Sequence, residues 1–297
     1  MQSQVIVPLE GSAYAEAILP HALFFAQQRQ SVLTLVRVIL PPGEPEFEVP
    51  YIPDDWYTSE INWTKNYLTS LARRLQAPGV RVQTLHLEET FAGSAITSYA
   101  KQESNAQLIA LATHGRDAGG RLLFGSVASD VFASAPTSLL ILHPPKDEQL
   151  PSGPIACASY QTIMVTLDST APSERVLEQV TPLALKCNAS VLLVALPPPL
   201  IAEEIRVDEI EKPQLRAPAR QEMKQADFLA DRAEQLRTTT GLTVQTAVLD
   251  GDPETFIERL FGQHPQKLLI VTTRNQAEHK VMSFLHQSHV PVLFMNP

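Results

Sequence analysis

Short apolar runs alternate along this chain with longer stretches whose apolar residues recur at helical spacing. Gln4 to Pro8 and Val32 to Leu40 read as buried strands, the second stopped by Pro41-Pro42. Between them Ser12 opens a helix whose apolar face holds Ile18, Leu19, Ala22, Phe25 and Ala26, and Pro20 inside it predicts a kink. Trp56 to Leu75 reads as a second helix, Val80 to Leu87 alternates like a strand, and Ser94 to Glu103 reads as a third helix. Leu108 to Leu111 and Leu139 to Leu142 are further buried strands, with a glycine-bearing loop and a helix-compatible segment between them. The order is β-α-β-α-β-α-β-α-β, which predicts a five-stranded parallel sheet with right-handed crossovers and helices on its faces. Ligands of such sheets lie beyond the carboxyl ends of the strands, where the strand order reverses.

The pattern occurs twice. The stretch from Gln4 aligns without gaps with the stretch from Thr162, so Glu10 pairs with Asp168 and Gly93 with Gly251 at a constant offset of 158. Later, Leu108 pairs with Leu268 and Leu139 with Val292, so the second copy is shorter between its fourth and last strands. The shortening falls where the first copy has its glycine loop, and the stretch in its place, Thr272 to Phe284, has no glycine. His143 to Gln161 is punctuated by Pro and Gly and reads as a linker. The expected domains are therefore 1–145 and 160–297.

Composition narrows the setting. A chain of 297 residues suits two domains, and 44% hydrophobic residues can fill their cores. No apolar run approaches the roughly 18 residues needed to span a bilayer. The opening MQSQVIVPLE lacks the basic and long apolar regions of a signal peptide. Cys157 and Cys187, with no CxxC, point away from a disulfide framework and a zinc site. These features predict a cytoplasmic protein without a membrane partner. A net charge of -9 disfavours nucleic acid, which needs a basic face. Much of the acidity sits in one Pro-rich insert, in Glu44, Glu46, Glu48, Asp54, Asp55 and Glu60.

The chemistry is concentrated between Leu108 and Leu142. The strand breaks into a loop with Gly115, Gly119 and Gly120, then reaches Gly125-Ser126 and a helix start. Strand, glycine loop and helix N-terminus together make an anion cradle, where backbone N–H groups converge on a phosphate. Ser126 adds a hydroxyl and is expected to cap the helix. Gly115 to Gly120 has Walker A spacing, but Arg121-Leu122 follows in place of Lys-Ser/Thr, and there is no GxGxxG.

The segment resembles the universal stress protein family, whose nucleotide-binding members carry G-x2-G-x9-G-[ST]. Gly115, nine intervening residues, Gly125 and Ser126 fit its second half, and Ala112 replaces the first glycine. The neighbouring ATHGR, RLLFGSVAS and AP also agree. The resemblance implies two tandem Rossmann-like domains of the adenine nucleotide α-hydrolase type. It places Pro8, Leu9 and Glu10 at the end of the first strand facing the nucleotide, with Glu10 where the family has Asp. It places Val38 at adenine, and Ala112, Gly115, Gly125, Ser126 and Val127 at phosphate and ribose. Arg116 is a candidate for neutralising phosphate, as is Arg121. The implied ligand is ATP, with Mg as a phosphate-bound cation, held by the first domain alone. The implied role is stress sensing or regulation with little or no hydrolysis, at most a slow ATPase. The alternative is a tandem scaffold of the same family that binds no nucleotide. The family's last strand pairs with its twin, so the resemblance also implies an internal pseudo-dimer of the two domains, and a further homodimer is compatible with it.

Other features carry less. His114, just past a strand end, orients a loop more often than it catalyses. His286 and His289 share a helical face but have no acid or cysteine beside them in sequence to complete a metal site. Asp168-Ser169 reads as the remnant of a binding turn. Asn62 and Asn188 fit a glycosylation pattern without a secretory context. No catalytic or metal-ligating residue is assigned.

Overall fold

The computed structural model describes residues 2–40, 55–75, 77–113, 125–145, 152–167, 171–195, 217–248, 266–271 and 289–295. They fall in two compact units, Met1–Ser159 with His289–Leu293, and Tyr160–Ser288 with Phe294–Pro297. No helix among the described residues is long and apolar enough to cross a membrane.

The first unit runs β1 (Gln4–Pro8), α1 (Ala13–Glu16), α2 (Leu19–Arg29), β2 (Val32–Ile39), α3 (Trp56–Arg74), β3 (Val82–Glu88), α4 (Ala92–Gln102), β4 (Ala106–Ala112), α5 (Ser126–Ser134) and β5 (Ser138–Leu142). Its strands lie in the order β3-β2-β1-β4-β5, and each adjacent pair is parallel. The order reverses between β1 and β4, so their carboxyl ends form the switch point where α/β sheets hold ligands. β1, β4 and β5 are continuous apolar runs because both faces are covered: Val5, Ile6, Val7, Leu108, Ile109, Ala110 and Leu139 to Ile141 are fully buried. β3 is half-exposed along its length, as the outer strand of the order.

The expected single helix with a kink at Pro20 is two helices. Ser12 caps α1 by accepting a hydrogen bond from Ala15 N at 3.1 Å. α1 ends after one turn, and Pro20 stands in the first turn of α2. Proline has no N–H to donate, which is harmless there and disruptive inside a helix. The apolar face survives the break, with Ile18, Leu19, Ala22, Phe25 and Ala26 all buried.

The stretch expected to be a plain linker is partly bound to the first unit. Ile155 is buried, donates its N–H to Arg74 O at 2.7 Å and forms a parallel bridge with Leu75. Arg74 Nε reaches Gly153 O at 3.2 Å, and Ala158 N reaches Pro20 O at 2.9 Å. Proline and glycine here shape a strap whose backbone groups are satisfied by α2 and α3.

The second unit runs β6 (Thr162–Leu167), α6 (Ala171–Cys187), β7 (Ser190–Ala195), α7 (Ala217–Thr240), β8 (Val244–Val248) and β9 (Lys267–Val271), with strand order β9-β6-β7-β8, while β10 (Val292–Phe294) straddles the division, Val292 and Leu293 falling in the first unit and Phe294 in the second. The helices expected between β8 and β9 and between β9 and β10 lie outside the described residues, as do Asp168, Ser169, Gly251 and His286.

The repeat extends to individual hydrogen bonds. α2 ends on Gln30 in the left-handed region (φ 52°), and α6 is followed by Asn188 with the same φ. Ser31 N bonds Ala26 O at 2.8 Å, and Ala189 N bonds Ala184 O at 3.0 Å. Val32 N bonds Ser3 O at 2.8 Å, and Ser190 N bonds Gln161 O at 2.9 Å. Each pair keeps the 158-residue offset read from the sequence.

Candidate functional site

A cavity of about 500 Å³ opens in the first unit where the carboxyl ends of β1, β2 and β4 meet the starts of α3, α4 and α5. Pro8, Leu9, Glu10, Val38, Ala112, Gly125, Ser126 and Val127, the positions singled out by resemblance, all line it. Gly115 and Arg116, with His114 and Arg121, lie outside the described residues.

The turn after β1 sets one wall. Leu9 N bonds Val36 O at 2.8 Å, carrying β1–β2 pairing one residue past the strand. Gly11 then takes φ +105°, where a side chain is strained, and a Cβ there would stand 2.6 Å from the Trp63 ring. Ser12 donates to the Glu10 carboxylate while it accepts from Ala15 N, so the turn fixes the Glu10 head group.

The cavity wall mixes apolar and polar groups. Val38 of β2, Leu40 just after it, Trp56 of α3, and Ala92 and Ile96 of α4 supply apolar side chains. Glu10, Arg37, Glu60, Thr113 and Ser126 supply polar ones. Here α5 begins with Gly125 as N-cap and Ser126 as its first helical residue, so Ser126 is not the cap expected from sequence. Gly125 offers no side chain, and no side-chain cap hydrogen bond forms at this end. The first N–H groups of a helix have no intrahelical acceptor, and these emerge at the cavity wall made by Gly125, Ser126, Val127 and Ala128. Gly125 has an ordinary φ of -56°, and a Cβ built on it meets nothing within 4 Å. Thr113 is 1% exposed, and its hydroxyl has no hydrogen-bond partner among the described residues.

Sequence reading missed the Arg37 cluster. Arg37 Nη1 donates to Glu60 Oε1 at 2.5 Å and to Thr64 Oγ1 at 2.6 Å. Its Nε reaches Glu10 O at 3.4 Å, and its guanidinium lies 4.4 Å from the centroid of the Trp63 ring. Trp63 in turn stacks on Tyr67 with centroids 5.1 Å apart. Burial, then the neighbouring Glu16 carboxylate, push the Tyr67 phenol well above its ordinary range. Arg37 is the one cation among the described lining residues, set against Glu10 and Glu60. The signal for it was a single charge inside the otherwise uncharged strand VLTLVRVI.

Similarity to known proteins points the same way as the topology. Residues 1–143 match the model of the Universal stress protein family. No curated protein sequence matches the chain significantly. Among solved structures, the chain is similar to a universal stress protein from Archaeoglobus fulgidus DSM 4304, with 14% identity and a TM-score of 0.67, over 99% of this chain and 96% of that one. It is also similar to a Pseudomonas aeruginosa UCBPP-PA14 protein assigned to the same family, with 13% identity and a TM-score of 0.61, over 100% of this chain and 94% of that one. A functionally unknown protein from Pseudomonas aeruginosa PAO1 gives 11% identity and a TM-score of 0.57, over 100% and 93%. Likeness at these identities concerns the fold.

Proposed function

Because residues 1–143 are a domain of the universal stress protein family, we propose that this domain holds an adenine nucleotide in the β1–β2–β4 cavity. The ligand is ATP, with Mg carried on its phosphates, bound once per chain. One observation carries this reading: a single cavity combines apolar side chains from β2, α3 and α4 with the N-terminus of α5 and a Thr113 hydroxyl that has no partner among the described residues. A flat, weakly polar ring suits the apolar side chains, and backbone N–H groups at a helix N-terminus suit phosphate. Among the described residues nothing crowds Gly125, which leaves room for phosphate oxygens to approach the backbone, and Glu10 supplies a carboxylate for a cation.

The second unit would serve as a partner without a nucleotide, because its sequence lacks the glycine loop. The two domains would then form an internal pseudo-dimer of repeats in one chain, able to form a homodimer as well. The protein would sense or buffer adenine nucleotide during stress, with hydrolysis slow or absent. A cytoplasmic location fits Cys157 and Cys187, both free thiols.

One observation favours the other reading, a scaffold without nucleotide. Two carboxylates face one guanidinium among the described lining residues, and the Ala112 methyl stands where the family's motif has glycine. Isothermal calorimetry with Mg-ATP separates the two. The expected result is micromolar binding at one site per chain. Two equal sites would contradict the confinement to the first domain, and no heat at any adenylate would establish the scaffold.

A further inference from the structure

We infer that Trp56, the first residue of α3, is the platform on which the ligand's heteroaromatic ring stacks. The inference rests on the nucleotide reading above and names a residue that reading does not use. Trp56 lines the cavity with Val38, Leu40, Ala92 and Ile96, and it is the one aromatic side chain among the described lining residues. It is only half-buried. A large amphipathic ring left partly open at a cavity gains free energy when a second flat ring covers it.

The position of Trp56 is held from the side. Asp55, at the N-cap of α3, makes no side-chain cap hydrogen bond, and its carbonyl accepts from Ser59 N at 2.9 Å. Glu60 and Thr64 lie one and two turns further on, on the same helical face as Trp56. Both accept from Arg37 Nη1 at the end of β2, at 2.5 and 2.6 Å. β2 also supplies Val38 and leads into Leu40, both of which line the same cavity. The latch therefore fixes the first turns of α3, and with them the indole, against the strand end that forms the adjoining wall.

Stacking on an indole does not depend on which base is present, since every base has a π-face. Trp56 thus supplies affinity common to all base-bearing ligands, while discrimination by phosphate number belongs to the start of α5. Calorimetry of the full chain with ATP, ADP and adenosine tests this. Trp56→Ala should weaken all three by a similar factor, about tenfold within a range of roughly 5- to 150-fold, the span expected for loss of one base–aromatic stack. Trp56→Phe, which keeps a ring, should stay within about threefold of the parent. In a Trp63→Phe background Trp56 is the only indole in the chain, and its emission should change on adding adenosine and stay constant on adding inorganic tripolyphosphate. If Trp56→Ala binds all three ligands as tightly as the parent, the inference is wrong and the nucleotide site stands. A parent protein that binds none of them overturns the nucleotide reading itself.

Discussion

Gly93 sits where α4 and α5 approach too closely for a side chain, which makes Gly93→Ala a quantitative probe of the cavity's framework. A Cβ at this position would lie 2.5 Å from Asp130 Cβ, 2.9 Å from its Oδ2 and 3.2 Å from its Cγ. Carbon atoms in van der Waals contact stand about 3.5–4.0 Å apart, so the helices must separate by roughly 1 Å. The carboxylate can swing away, being on the exposed side of α5, but Asp130 Cβ is fixed to the helix backbone. Overpacking of this kind costs about 1–3 kcal/mol. The better helix propensity of alanine returns at most about 1 kcal/mol, so the net loss lies between about 0 and 3 kcal/mol. At the centre of that range, about 1.5 kcal/mol, the unfolding midpoint of a unit this size falls by about 3–6 °C. Asp130→Gly alone costs about 0.3 kcal/mol of helix propensity, but it removes the obstructing Cβ, so the double variant should lose less than the sum of the singles. Thermal unfolding followed by circular dichroism of the four proteins measures this coupling. Singles whose effects simply add would refute the close approach. Because α5 also presents Gly125 to Ala128 to the cavity, the same separation should weaken ligand binding.

Two further predictions concern the site and the pH range. Gly125→Val should reduce Mg-ATP affinity at least a hundredfold while costing no more than about 1 kcal/mol of stability, the preference for glycine over valine at an N-cap, since its φ is ordinary and no described atom stands in the way of the added side chain; parent-like affinity in calorimetry would place the phosphates elsewhere. Burial lowers the His21 imidazole to about 4, against about 6.5 in an unfolded chain. Between those values the unfolded state takes up a proton that the folded state refuses, so stability rises with pH across this window and is lost as pH falls from 6.5 towards 4. Denaturant titrations at stepped pH should show that slope, and His21→Gln should flatten it; an unchanged slope would mean other groups account for it.

Much of the first unit was legible because its strands are buried on both faces and so read as unbroken apolar runs. Val5 to Val7, Leu108 to Leu111 and Leu139 to Leu142 required no tertiary information. Ser12 announced the first helix through its own hydroxyl. Where sequence reading erred, a local rule had two structural outcomes. Proline in a helical pattern permits a kink or a restart, and Pro20 lies at a restart. A serine next to a glycine at a helix start can be the cap or the first residue, and Ser126 is the latter. The wall residues came from the ends of strands and from a family motif, whereas Arg37, Glu60 and Trp56 are brought together by β2 and α3 packing across the insert between them. That convergence is a tertiary property, and a lone arginine in a strand gives no address for its partners.

The strap over α2 and α3 bears on how the first module can be made portable. A gene fragment cut at residue 145 would keep every strand of the sheet and still strip Ile155 from its burial site beside Leu75. It would also deprive the carbonyls of Arg74 and Pro20 of the donors at Ile155 and Ala158. Cutting after Ser159 retains both. The chain that packs on the first five strands therefore runs past β5, and its last stretch has no strand or helix of its own.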